Sequence, residues 1–263
     1  MDGRHPGRPT GWSERMGRPA GACRGPGRRC FCRTGLPRAT RTVPASGPVR
    51  VNLRTGWYTS GLPGAGCQDR TYCLQPVDRL PAIRADLAGD FSWLPRVPRP
   101  LDWSIATGVE SAGDGRFLAR ARAEAIDLPA SFATFLASPP VMWGLRSMTG
   151  CRWSLDADSL QPVPTSGPLA VRFLTDQQGA LFWSLLLDGT SDPPVVVSAQ
   201  DFSDQETWEP SPLDHVYRCA PTFEAFIYRF WMENEVGFRA RDGEPLTPEF
   251  RDYLEEARRL YVG

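Results

Sequence analysis

Few residues in this chain have the types and spacing that chemistry needs. Only two histidines occur, His5 and His215. His215 follows Asp214 in Leu213-Asp-His-Val-Tyr217, the one place where a carboxylate adjoins an imidazole and could orient it as a general base. Asp176 and Asp188 are the further acids such an enzyme could use. The plainer reading of His215 is a strand residue that packs or faces solvent. No Gly-x-Ser-x-Gly elbow occurs. No Gly-x-Gly-x-x-Gly follows a strand pattern, and there is no Walker loop. Gly61-Leu-Pro-Gly-Ala-Gly66 reads as a turn. All 30 basic residues are arginine. The absence of lysine excludes a Schiff-base lysine, a P-loop lysine and a lysine nucleophile.

Seven cysteines, at positions 23, 30, 32, 67, 73, 151 and 219, match no zinc ribbon or finger spacing. Cys23, Cys30 and Cys32 lack a nearby fourth ligand and sit among arginines, so no metal site and no cofactor are expected. Glu233-Asn-Glu235 could be a carboxylate pair, but residues two apart on a helix do not face each other. They read as the solvated edge of an aromatic helix.

The strongest local signal is a run of acids. Asp201, Asp204, Glu206, Glu209 and Asp214 fall within fourteen residues without an intervening Arg, and Trp208 stands among them. The bland reading is a polar loop. The functional one is an acidic patch with an aromatic anchor that binds a basic protein partner: complementary charge speeds encounter and a Trp can serve as a hot spot. Charge is uneven along the chain. Residues 1–50 hold 11 Arg against Asp2 and Glu14, whereas residues 101–263 hold 13 Arg against 24 acids. The basic tail could touch phosphates, but it lacks a stacking platform and a surrounding binding fold, so nucleic acid is not the expected partner.

Three regions follow from composition. Residues 1–50, dominated by Gly, Pro and Arg, cannot bury enough apolar surface to offset their ordering entropy. They read as a disordered tail, or as translated upstream sequence of a GC-rich genome. Residues 51–100 are a poorly defined linker, broken by prolines, with a short helix at 77–88. Residues 101–263 form the folded domain. Helices are expected at Asp114–Ile126 and Leu128–Leu136, the second entered by Pro129 and stopped by Pro139-Pro140. Cys151, Trp153 and Leu155 alternate with polar residues, as do Leu169, Val171 and Phe173, and read as one-face-buried strands. Ala180–Leu187 is nearly all apolar and reads as a central strand covered on both faces. Further strands are expected at Pro194–Ser198 and Leu213–Cys219.

Phe223, Phe226, Ile227, Phe230 and Trp231 recur at helical spacing behind Thr222 as N-cap. A last helix is signalled by Thr247, Pro248 and Glu249. Helices, then antiparallel-type strands, then helices make an α+β domain. No signal-peptide apolar core follows Met1 and no apolar run has membrane-spanning length. The expectation is a reduced, cytoplasmic protein with no membrane partner.

Residues 128–238 resemble the SUKH superfamily. The resemblance rests on Leu128-Pro129-x-x-Phe132-x-x-Phe135, on Asp176-Gln-Gln-Gly179 turning into Ala180–Leu187, and on Phe223-Glu-Ala-Phe226. In place of the family's Asn-Gly-Gly-like turn after the first helix stands Ser138-Pro-Pro140. The superfamily includes bacterial immunity proteins against secreted toxins and the Smi/Knr regulators of fungal cell-wall synthesis. It implies a mainly antiparallel sheet covered by helices and a binding module without a catalytic centre. The leading expectation is therefore a SUKH-like immunity protein that binds a basic toxin domain through Asp201, Asp204, Glu206, Trp208, Glu209 and Asp214. An enzyme using Asp/His residues, or a nucleic-acid-associated scaffold using the tail, is the alternative.

Overall fold

The computed structural model describes residues 53–59, 62–65, 71–107, 112–164, 167–203 and 215–261. All lie within the unit Ala45–Gly263. The tail at 1–50 lies outside the described residues. The strands are β1 (Arg54–Thr55), β2 (Trp57–Thr59), β3 (Cys73–Gln75), β4 (Arg152–Trp153), β5 (Leu160–Pro162), β6 (Leu169–Thr175), β7 (Phe182–Leu187), β8 (Val195–Ser198) and β9 (Val216–Ala220). The helices are α1 (Ala112–Ala123), α2 (Ala130–Leu136), α3 (Pro139–Trp143), α4 (Phe223–Asp242) and α5 (Pro248–Tyr261), with 3-10 turns at Val77–Arg79 and Ala157–Ser159. The chain is an α+β protein, as its pattern predicts.

One seven-stranded sheet runs β1-β9-β8-β7-β6-β4, with β5 also paired to β6; β2 and β3 form a separate ribbon. Every pair is antiparallel except β1 with β9. Strand β7 is central and covered on both faces. Trp183 and Leu185 join the main core, and Leu186 joins a second cluster with Val163, Ala170, Val196, Phe202 and Val216. A register shift in β6 between Arg172 and Leu174 puts the consecutive Phe173 and Leu174 both into the main core.

Helix α4 organises the rest. The Thr222 hydroxyl accepts from Ala225 N at 3.1 Å, and Gly243 ends the helix in the left-handed conformation at φ 70°. Its first turns wedge Phe223 against Phe132 (4.9 Å between ring centroids), Phe173 (5.2 Å) and Phe135 (5.3 Å). Phe226 packs on Phe173 at 5.3 Å. The amphipathic α5 buries Phe250, Tyr253, Leu254 and Ala257.

Four expectations needed revision. Helix α1 stops at Ala123 rather than Ile126: Ala125 takes a left-handed φ of 53°, Ala125 N bonds Arg122 O at 3.2 Å and Ile126 N bonds Ala121 O at 2.9 Å. That pair of bonds is a Schellman closure. Pro139-Pro140 ends α2 but also occupies the first positions of α3, where a missing N–H costs nothing. The helix expected at 77–88 is one 3-10 turn, because Leu80 precedes Pro81 and is extended at φ −91°, ψ 146°. The stretch read as a linker, 51–100, carries Trp57, Leu62, Ala65, Leu80, Phe91 and Leu94 into the main core.

Candidate functional site

The six residues expected to bind a partner divide sharply. Asp204, Glu206, Trp208, Glu209 and Asp214 lie outside the described residues. Asp201 is described, half-buried, and committed to the fold: its Oδ2 pairs with Arg172 Nη1, and its Oδ1 accepts from Ser203 N at 3.0 Å. Arg172 Nη2 also lies 3.8 Å from Asp156. Asp201 thus ties the start of the acidic stretch to the sheet and presents no free carboxylate.

What the structure defines is how that stretch is hung. Val216 of β9 pairs with Ser198 of β8, so the two strands are immediate antiparallel neighbours. A hairpin of this kind needs about two to five linking residues. Here seventeen, 199–215, join them.

The residues that could serve an enzyme do not converge. Across the sheet, Val216 pairs with Ser198, Ser198 with Phe182 and Phe182 with Thr175. His215 and Asp176 flank the two ends of that row, three strand spacings or ~14 Å apart. Asp188 follows the opposite end of β7, so it is remote from Asp176. Each acid is also occupied. Asp188 Oδ1 accepts from Thr190 N (3.1 Å) and Thr190 Oγ1 (2.6 Å). The buried Asp176 accepts from the Tyr72 hydroxyl at 2.7 Å and from Gln178 N at 3.0 Å. Asp214, the expected partner of His215, is outside the described residues.

Glu233-Asn-Glu235 is not a solvated edge. Relative exposures of 3%, 2% and 7% put all three residues inside. The reason lies in two irregular segments, the one before residue 100 around Trp57 and the one at Arg146–Met148, which cover the side of α4 that a single-stripe reading leaves to water. Glu233 accepts from Trp57 Nε1 at 2.9 Å and from the Tyr253 hydroxyl at 3.3 Å. Asn234 Oδ1 takes Met148 N at 2.7 Å. Glu235 holds Arg146 in a two-point grip of 2.8 and 2.7 Å. Two further polar residues of α4 behave alike. Glu224 accepts from Gly89 N (2.6 Å), Phe91 N (3.1 Å) and Trp93 Nε1 (3.0 Å). Arg229 donates to Pro81 O at 3.0 Å and to the Tyr253 hydroxyl at 3.2 Å. Burial works against the Arg229 charge, yet Tyr253 and Glu233 outweigh it and raise its pKa. Burial first, then Glu233, pushes the Tyr253 hydroxyl well above its ordinary value.

Among the described residues no group of three His, Cys, Asp or Glu side chains could hold a metal ion. No helix among them is long and apolar enough to cross a membrane. Cys151 and Cys219 are free and buried. Cys73 is disulfide-bonded, which departs from the expectation of a reduced chain.

One surface feature was absent from the sequence reading. Trp103 is 55% exposed and Leu101 37% exposed. The only prior signal was that ordered sequence starts there. Comparisons with protein-family models, with curated proteins and with solved structures find no match to this chain.

Proposed function

We propose that the chain is a protein-binding domain of the SUKH type, acting as an immunity protein that masks a basic toxin domain. The acidic connection between β8 and β9 makes the contact. The observation that supports this reading is the length and content of that connection. Two paired neighbouring strands need no such insertion, and long loops without structural necessity concentrate function. Its central part carries Asp204, Glu206, Glu209 and Asp214 with no Arg, together with Trp208. Asp201 serves as its anchor to Arg172 rather than as a contact. The occupied states of Asp176, Asp188, Glu224, Glu233 and Glu235 fit a fold whose carboxylates hold loops in place.

The test is binding kinetics against the partner recovered by pull-down with the full chain, at low and high salt. Reversing Asp204, Glu206 and Glu209 to Arg should slow association about tenfold or more at low salt, with little change at high salt and nearly unchanged folding. Trp208→Ala should act mainly on dissociation. An association rate and salt dependence that survive the three reversals would sink the proposal.

A further inference from the structure

A second surface, remote from the acidic connection in the order of the sheet, combines exposed arginines with an exposed indole. It begins with two anchors. Val97 N bonds Pro140 O and Leu101 N bonds Trp143 O, each at 3.1 Å. The two carbonyls are three residues apart on α3, an axial rise of ~5 Å. Four residues of extended chain span ~13 Å. The intervening Pro98-Arg-Pro100 must therefore arch away from the helix, and all three residues are exposed. The two prolines fix φ and offer no N–H, so the arch is stiff and has fewer donors to satisfy.

Directly after the arch the chain makes a braced turn. Trp103 has φ 65°, a left-handed conformation that costs a bulky non-glycine residue stability. Its surroundings impose it. Ser147 N bonds Trp103 O at 3.0 Å, Ile105 N bonds Leu145 O at 2.8 Å, and Trp153 N bonds Ile105 O at 2.8 Å. The strain and the exposure coincide on one residue: the turn holds an indole outward instead of burying it. Trp103 makes no ring-to-ring contact among the described residues. Leu101 is exposed beside it in the chain. Arg96 and Arg99 are exposed on and before the arch, Arg99 without an ion pair among the described residues, and Asp102 is the sole acid of 96–103.

We infer that the convex ridge Arg96–Trp103 docks into a concave apolar cleft, rimmed by carboxylates, on a partner protein. Trp and Arg are the residues most enriched where binding energy concentrates, and a braced, proline-stiffened ridge loses little conformational freedom on binding. The inference is independent of the acidic connection. The ridge hangs beside β4, at one margin of the sheet, whereas the connection leaves β8 and β9 towards the other.

Two measurements on the full chain test it. The first uses carboxymethyl-β-cyclodextrin, an apolar cup rimmed by carboxylates, against neutral β-cyclodextrin, followed by the Trp103 indole resonance. The carboxylated host should bind about threefold or more tightly. Trp103→Gly should abolish the binding heat measured by calorimetry while the melting temperature stays within about 4 °C, since glycine accepts φ 65°. Arg96→Glu with Arg99→Glu should erase the advantage of the carboxylated host. Equal affinities for the two hosts, or a larger fall in melting temperature that makes Trp103 a structural prop, would overturn the inference. The second places the photo-crosslinker p-benzoylphenylalanine at Leu101 in cells. The expected product is an adduct mapped to a carboxylate-bearing cleft of another protein, its yield reduced about tenfold by the double arginine reversal. No adduct, an adduct only to a second copy of this chain or to nucleic acid, or a yield indifferent to the reversal would each refute it.

Discussion

Replacing Glu224 should be among the most damaging single changes in the chain, although it removes no apolar contact. Its carboxylate is 2% exposed as a residue and takes three donors from one loop: Gly89 N at 2.6 Å, Phe91 N at 3.1 Å and Trp93 Nε1 at 3.0 Å. The loop has no regular structure of its own, and Phe91 adopts a left-handed φ of 56° within it. That conformation places the Phe91 ring 5.3 Å from Phe135 and 6.1 Å from Phe223. Glu224→Ala orphans all three donors. Each orphaned buried donor costs ~1–3 kcal/mol, with water relieving part of the loss at the half-buried Gly89 and Trp93. The expected total is about 3–6 kcal/mol, a large share of the ~5–15 kcal/mol that holds a domain together. Glu224→Gln separates hydrogen bonding from shape. An amide keeps one acceptor oxygen for Phe91 N and Trp93 Nε1 but turns its NH2 on the Gly89 N–H, so the cost falls to about 1.5–3 kcal/mol. Urea titration of the three proteins measures both values, and amide hydrogen exchange at Gly89 and Phe91 reports whether the loop has been released. An Ala variant within about 1 kcal/mol of wild type, or a Gln variant as damaged as Ala, would show that the carboxylate does not capture this loop.

Two further outcomes follow from the same core. Trp183 on β7 and Phe230 on α4 are 3% and 6% exposed, and truncating either to Ala should cost about 3–5 kcal/mol in denaturant unfolding; a cost below about 1 kcal/mol for both would misplace the sheet–helix contact. The raised pKa of Tyr253 fixes a direction for alkaline stability. The unfolded phenol ionises near pH ~10 while the folded one keeps its proton, so the stabilisation is complete below pH ~10 and is lost as pH rises above it. Tyr253→Phe should make that decline shallower, and an unchanged slope between pH 9 and 11 in urea midpoints would contradict the assignment.

The parts of the fold that could be read in the sequence are those with one period and one neighbour. The strands at 169–175, 182–187 and 195–198 show through β-branched and aromatic runs. Helix α5 shows through Thr247, Pro248 and a clean apolar stripe. The packing of 53–100 was not legible, because its contribution is made by isolated residues such as Trp57, Phe91 and Leu94 set among prolines, with no period to detect. That omission also caused the misreading of Glu233, which Trp57 covers, and Glu235 was misread for the like reason that Arg146 reaches it from another irregular segment. A helix judged against one sheet leaves its polar residues to solvent, whereas a helix surrounded by sheet, α5 and an irregular wrap buries them. Trp103 was illegible for a related reason: its exposure depends on a left-handed turn imposed by residues 145–153, over forty positions away.

The polar residues of α4 share a logic that bears on recognition. Irregular segments cannot pair their own backbone groups, and a buried unpaired N–H or C=O is costly. Glu224 supplies acceptors to 89–93, Arg229 a donor to Pro81, and Asn234 an acceptor to Met148, while Glu233 and Glu235 fix Trp57 and Arg146. Apolar residues at these positions would pack the helix and leave the wrap undetermined. The last two attachments matter most for the exposed ridge. Asn234 and Glu235 hold Met148 and Arg146, which flank Ser147, and Ser147 N is the donor that secures the strained carbonyl of Trp103. The backbone that carries the outward indole is thus fixed through two hydrogen-bonded steps to the buried helix α4. A turn held this way reaches a partner with its backbone entropy already lost on folding, so the binding energy of the contact goes into affinity rather than into ordering the loop.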